Sequence, residues 1–149
     1  MINCNSIAIM YVERALQVLR ERGHRLTQTR RVILEALDQA DHPMSPYEMQ
    51  RSLQGQGRHL DHVTIYRTLE LLCAISLAHR VSSVGGFVRC SLDDEAGCHR
   101  YMVCRRCGTF LEFADEALCQ REEETARKSG FHTEQHIAES VGLCANCHE

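Results

Sequence analysis

Cys104-Arg-Arg-Cys107-Gly108 and Cys144-Ala-Asn-Cys147 are the two stretches around which the C-terminal part of this chain is organised. Two Cys-x-x-Cys pairs separated by a short folded segment have the spacing of a closed, tetrahedral zinc site, and thiolates are ligands that zinc favours. A single pair would also be compatible with a redox motif. Because two pairs are present, the sequence predicts a structural metal site made by Cys104, Cys107, Cys144 and Cys147.

Length and cysteine content bear on the number of domains and on the compartment. A chain of 149 residues is expected to form one domain or two small ones. The nine cysteines are an odd number, which favours metal ligands and buried thiols in a reducing compartment. No apolar run is long enough to span a bilayer, and residues 1–10 lack the basic region of a signal peptide. We therefore expect a cytoplasmic protein without a membrane partner.

Charge is distributed unevenly along the chain. Residues 1–85 contain ten arginines and eight acidic residues, whereas residues 86–149 contain seven basic and twelve acidic ones. A mildly basic, arginine-only first half is compatible with nucleic-acid binding, although most such charge is simply solvated surface.

Four amphipathic helices are predicted in the first half. Apolar residues recur at helical spacing from Val12 to Arg22, where Gly23 ends the pattern. A capping residue precedes each of the next three helices, and these residues are Thr27, Ser45 and Asp61. Apolar residues of the fourth helix are expected to face the core: Val63, Ile65, Leu69, Leu72 and Cys73.

The fourth helix has the properties of a DNA-recognition helix. Tyr66 and Arg67 are expected on its exposed side, where arginine could fork onto guanine in a major groove. An ordinary solvated helix face would show the same pattern. Two short strands, 77–81 and 87–90, flank the Gly-Gly turn that follows and look like a wing.

The second half is predicted to mix strands with one helix. Strands are expected at 101–104 and 109–113 on either side of the first Cys pair, and another at 132–141. A helix is expected from Ala114 to Ser129, ended by Gly130.

Three motifs in this order resemble the ferric uptake regulator family of metal-sensing bacterial repressors. They are Arg25-Leu-Thr-Gln-Thr-Arg30, Asp61-His-Val-Thr-Ile-Tyr-Arg-Thr-Leu69, and Cys-x-x-Cys-Gly followed by a closing Gly-x-Cys-x-x-Cys. The resemblance extends from about residue 12 to 147. It implies an α+β fold with a winged helix-turn-helix DNA-binding domain (1–84) and a small C-terminal α/β dimerisation and metal-binding domain (85–149).

The resemblance also implies a regulatory metal site, and the residues at its places are His79, Cys90, His99 and Glu112. A set with one soft thiolate suits tetrahedral zinc better than Fe(II) or Mn(II), which prefer harder, oxygen-rich sites. The set therefore resembles the zinc uptake regulator branch. The alternatives are a buried strand histidine for His79 and a core thiol for Cys90. Cys98 is a rival ligand beside His99.

The sequence departs from the family pattern just before the first Cys pair. Relatives commonly have histidines where this chain has Arg100 and Tyr101. A further thiolate-rich zinc site could instead use Cys98, Cys119 and His136. The alternative is two unengaged thiols and a strand histidine.

The predicted function is a zinc-responsive repressor of zinc uptake genes that acts as a homodimer on a palindromic DNA operator. It would bind one structural and one regulatory Zn(II) per monomer. The expected DNA contacts are Tyr47, Arg58, Thr64, Tyr66 and Arg67, with Arg25 and Arg30 as weaker phosphate contacts. An iron, manganese or peroxide sensor of the same family is the first alternative. A zinc hydrolase is disfavoured because four protein ligands leave no open position for water. A protein-interaction module without DNA binding is the third alternative.

Overall fold

The computed structural model describes residues 4–91, 98–134 and 136–148. Among these, residues 4–10 and 98 are described by their backbone alone. The chain divides into two compact units, Met1–Cys90 and Ser91–Glu149, called here the N-terminal and C-terminal units. No helix in the described part of the chain is long and apolar enough to cross a membrane.

Four helices and a hairpin form the N-terminal unit. In chain order they are α1 (Cys4–Glu21), α2 (Gln28–Gln39), α3 (Pro46–Gly55), α4 (His62–Ala74), β1 (Ala78–Val81) and β2 (Gly86–Arg89). The three predicted caps are confirmed, since the side chains of Thr27, Ser45 and Asp61 each accept a backbone N–H of the following first turn. Helix α1 begins earlier than the predicted Val12.

Helix α4 buries a narrower stripe than the sequence pattern suggested. Its buried residues are Ile65, Thr68, Leu69 and Leu72, which follow the spacing of one helical face. The prediction that Val63 faces the core is wrong, because Val63 is 53% exposed. Two residues before Ile65, it lies on the opposite side of the helix.

The hairpin of β1 and β2 is antiparallel and pairs His79 with Val88. Met44, from the loop before α3, adds an isolated bridge to Phe87. A Cβ added at Gly86 would lie 2.7 Å from the carbonyl carbon of Pro43, so this close approach requires glycine. The predicted domain boundary at 84/85 would separate the paired strands, whereas β2 lies within the N-terminal unit. The roles assigned to the two domains remain predictions.

The C-terminal unit is a three-stranded sheet with one helix. Its elements are β3 (Cys98–Cys104), β4 (Phe110–Phe113), α5 (Glu116–Lys128) and β5 (His136–Gly142). The strand order is β4-β3-β5, with β3 antiparallel to β4 and parallel to β5. Four of its described residues are buried, namely His99, Tyr101, Val103 and Cys104, and α5 has none. The predicted α+β fold class is confirmed.

Candidate metal centres and nucleic-acid interface

The four cysteines of the two Cys-x-x-Cys pairs form one cluster in the C-terminal unit. Their sulfur atoms all lie within 4.8 Å of one another, and the Sγ atoms of Cys107 and Cys144 are 3.7 Å apart. Cys104 ends β3, and the Cys144 pair follows β5 directly. Because β3 and β5 run parallel, both pairs lie at the same end of the sheet.

Each Cys-x-x-Cys pair lies in a turn that is closed by a backbone hydrogen bond. In the first, the N–H of Gly108 donates to the carbonyl of Cys104, and in the second the N–H of Cys147 donates to that of Cys144, both at 2.9 Å. Backbone N–H groups of Cys107 and Cys144 also donate to the Cys104 sulfur and lower its pKa to about 6. A low thiol pKa favours the thiolate, which is the form that ligates metal. The neighbouring Cys144 side chain, in contrast, raises the pKa of Cys147 to about 12. The cluster fits a structural zinc site because its four sulfur atoms lie within 4.8 Å of one another.

Two further predicted ligands lie together in the N-terminal unit. His79 is the second residue of β1, and Cys90 follows β2 at the open end of the hairpin. The N–H of Cys90 donates to the carbonyl of Leu77 at 3.0 Å, which extends the pairing of the two strands. Both side chains are buried, and their ligating atoms lie within 4.8 Å of each other. One imidazole and one thiolate are thus available as a pair.

The other two predicted regulatory ligands form a pair within the C-terminal unit. His99 Nδ1 lies 3.4 Å from Glu112 Oε1, and both side chains are 6% exposed. The Tyr101 hydroxyl donates to the same carboxylate oxygen at 3.0 Å, and the N–H of Ser91 donates to the other at 2.8 Å. The Glu112 carboxylate is therefore held by three neighbouring groups.

Sequence reasoning missed this role of Tyr101, which looked like a lost histidine ligand. The strand register pairs Tyr101 with Glu112 across β3 and β4. Counting outward from the Cys-x-x-Cys turn would have placed the two residues opposite each other, since facing residues of antiparallel strands share a face.

The further metal set of Cys98, Cys119 and His136 stays a prediction, and the structure describes the surroundings of only two of its members. Cys119 is disulfide-bonded in this structure, and only its reduced form would offer a thiolate to a metal. His136 Nδ1 lies 3.2 Å from Glu122 Oε2, which Arg100 also contacts at 2.6 Å. The Arg100 guanidinium beside Glu122 holds the pKa of that carboxyl below its usual range. The side chain of Cys98 lies outside the described residues.

The predicted DNA contacts differ in how free their side chains are. Tyr47 and Tyr66 are 63% and 40% exposed, and Arg67 is also exposed. The Arg58 guanidinium instead contacts Glu35 at 3.1 Å, and the Thr64 hydroxyl donates to the capping Asp61. All five contacts stay predictions; Tyr47, Tyr66 and Arg67 are exposed, whereas Arg58 and Thr64 each have a carboxylate partner.

One aromatic contact near the start of α4 was not anticipated. The ring of Tyr47 stacks on that of His62 with centroids 4.0 Å apart. The two rings lie at the N-terminal ends of α3 and α4, where a recognition helix contacts base edges. No spacing rule in the sequence connects residues on two different helices.

Four helices followed by a hairpin, an exposed face on the fourth helix and a cluster of four cysteines together fit a metal-responsive DNA-binding regulator. The chain belongs to the ferric uptake regulator family, whose sequence model matches residues 21–140. It is a transcription regulator and not an enzyme, and it acts as a DNA-binding repressor of the metalloregulator class.

Individual relatives include both zinc and iron regulators. The zinc uptake regulation protein of Escherichia coli (strain K12) is 30% identical over 136 residues, covering 91% of this chain and 80% of that protein. The ferric uptake regulation protein of Legionella pneumophila is 30% identical over 132 residues, covering 88% and 96%. The solved structure of a zinc uptake regulator complexed with zinc and DNA is similar with a TM-score of 0.83, 27% identity and 93% of each chain covered. This neighbour supports the predicted resemblance to the zinc uptake regulator branch.

Proposed function

We propose that this protein represses zinc uptake genes with Zn(II) as its corepressor. The observation that carries the proposal is the composition of the two buried ligand pairs, which are His79 with Cys90 and His99 with Glu112. Two imidazoles, one thiolate and one carboxylate are ligands that zinc accepts in tetrahedral sites. Iron and manganese sites are usually richer in oxygen and higher in coordination number.

Each pair alone supplies too few ligands for a closed zinc site, which needs four. We therefore infer that the two pairs bind the same ion, with His79 and Cys90 from the N-terminal unit and His99 and Glu112 from the C-terminal unit. Bound zinc would tie the two units together. Zinc that binds one arrangement of the units better than others shifts the population toward it.

A homodimer would convert this arrangement into operator recognition. Exposed large apolar side chains occur on every strand of the C-terminal sheet, including Met102, Leu111 and Ile137. Together with α5, which buries no residue, they leave the unit short of a core, and a second copy of the chain would cover such surface. Two recognition helices spaced by about 34 Å fit successive major-groove faces of a palindrome. Sedimentation equilibrium of the zinc-loaded protein should give the mass of two chains.

Zinc-dependent operator binding is the test of the proposed function. With the four-cysteine site filled, DNA affinity should rise steeply as free Zn(II) is buffered upward from the picomolar range, and Fe(II) or Mn(II) should require far higher concentrations. Fluorescence anisotropy of a labelled operator, selected from a randomised duplex library, measures this response. Equal DNA affinity with and without free zinc would refute a zinc corepressor.

An iron, manganese or peroxide sensor is the second candidate. It is retained because the chain is 30% identical both to an iron regulator and to a zinc regulator, so identity does not separate the two classes. The metal-competition arm separates the two candidates, because a protein of this second class would respond to Fe(II) or Mn(II) at lower concentrations than to Zn(II).

Tyr66 and Arg67 on α4, with Tyr47 on α3, are the proposed base contacts. Replacing Arg67 by alanine is expected to cost about 1–3 kcal/mol of binding free energy, which is about 5- to 150-fold in affinity, and to relax selectivity at one base position. A phosphate contact would instead weaken binding to all sequences alike. Selection from a randomised duplex library measures both effects. Arg127→Ala on α5 is the matched control and should leave affinity and selectivity unchanged.

A further inference from the structure

Two polar side chains of α1 reach the backbone beside the proposed ligand Cys90. Tyr11 and Arg14 lie three residues apart and therefore on one side of α1. That side also carries buried Ala15 and Leu19, so the two polar residues belong to the buried face of the helix. Polar groups on a buried face need partners, and the positions of those partners are informative.

The hydrogen-bond acceptors of both side chains are backbone carbonyl oxygens that also position Cys90. Arg14 Nη2 donates to the carbonyl oxygen of Cys90 at 2.6 Å. The N–H of Cys90 donates to the carbonyl oxygen of Leu77 at 3.0 Å, and the Tyr11 hydroxyl donates to that same oxygen at 2.7 Å. The peptide groups on both sides of the Cys90 Cα are therefore fixed. The carbonyl of Cys90 is bonded directly by α1, and its N–H is bonded to the Leu77 carbonyl, which also accepts a hydrogen bond from α1.

We propose that Arg14 and Tyr11 are positioning residues that hold the Cys90 thiolate ready for the regulatory metal. The proposal rests on the proposed function of Cys90 as a ligand. Cys90 lies beyond the end of β2, where strand pairing no longer fixes its backbone on both sides. A ligand already held in place loses less conformational freedom on binding, and outer contacts of this kind affect metal affinity.

The alternative is that both hydrogen bonds serve only to pack α1 against the hairpin. In that case their loss would lower the stability of the N-terminal unit whether or not the regulatory metal is bound. A positioning role predicts a loss of metal affinity beyond that common loss of stability. The two roles can therefore be separated by comparing metal binding with metal-free stability.

Arg14→Ala should weaken zinc binding at the regulatory site by about 10- to 100-fold while the four-cysteine site stays filled. Arg14→Lys should restore part of this loss, since its ammonium group can still donate to the carbonyl. Tyr11→Phe should have a smaller effect, because the Leu77 carbonyl keeps the bond from Cys90. Competition with a chromophoric chelator measures zinc affinity in the full-length protein. With Co(II) as the probe, the sulfur-to-metal charge-transfer band reports directly on Cys90.

Arg20→Ala is the matched control, since Arg20 is an exposed arginine of the same helix. Melting temperatures of all variants, taken with only the four-cysteine site filled, reveal any purely structural effect. Arg14→Ala and Arg20→Ala with equal regulatory zinc affinity would overturn the positioning role, as would a loss that Arg14→Lys fails to reduce. If the unsubstituted protein binds no second metal through Cys90, the proposed function itself fails and takes this inference with it.

Discussion

Replacing Cys144 by serine is expected to unfold the C-terminal unit while the four helices of the N-terminal unit remain folded. The contrast follows from where the apolar core lies. Every buried residue of the hydrophobic cluster comes from the segment between Tyr11 and Phe87. The described part of the C-terminal unit buries only His99, Tyr101, Val103 and Cys104, so its stability must come largely from elsewhere.

The four-cysteine site is the feature of the structure that can supply this missing stability. Structural zinc sites in small domains have apparent binding free energies of about 10–16 kcal/mol, and this energy is folding energy when the apo form is unfolded. Whole domains are stable by only about 5–15 kcal/mol. Cys144 closes the cluster against Cys107, and its loss leaves three sulfur ligands. A weakened site cannot compensate for a core of four residues.

Hydrogen exchange read by mass spectrometry can follow the two units separately. Peptides from β3 to β5 should lose protection in Cys144→Ser, and peptides from α2 and α4 should keep it. Cys73→Ser is the matched control, since Cys73 is a partly buried thiol of α4 outside all three predicted ligand sets. Unchanged protection of β3 to β5 in Cys144→Ser would show that the sheet is stable without its metal.

Local rules explain why much of the fold was predictable. The caps Thr27, Ser45 and Asp61 act within one helical turn, so residue type and spacing suffice to locate them. The four-cysteine site was predictable for a similar reason, because each Cys-x-x-Cys turn is local and the metal requires two of them. Val63 was misplaced because a short apolar run does not fix which residue faces the core.

Contacts between residues far apart in the chain could not be predicted from sequence patterns. Arg14 and Cys90, or Tyr47 and His62, meet only because the helices pack in one particular way. Tyr101 shows an intermediate case, since its partner Glu112 follows from strand register once the hairpin is assumed. The carboxylate contact of Tyr101 changes the meaning of the departure from the family pattern: the position supports a proposed ligand instead of providing one.

The second large effect concerns Cys90→Ser, which is expected to abolish zinc-responsive DNA binding in a protein that remains folded. Serine is close in size to cysteine, and the hydrogen bonds to Leu77 and Arg14 involve only the backbone of residue 90. A hydroxyl is, however, a poor zinc ligand, because zinc favours thiolate, imidazole and carboxylate. Changes outside the ligand shell already cost about 10- to 100-fold in metal affinity, so loss of a ligand should cost at least as much.

Operator binding measured by fluorescence anisotropy, with free zinc buffered over a wide range, should stay weak and flat for Cys90→Ser. Its melting temperature and the occupancy of the four-cysteine site should stay close to those of the parent protein. Cys73→Ser should keep the full zinc response, which separates loss of a ligand from loss of any thiol. If Cys90→Ser instead unfolds the N-terminal unit, Cys90 serves the core. If it folds and still responds to zinc, another residue completes the regulatory site.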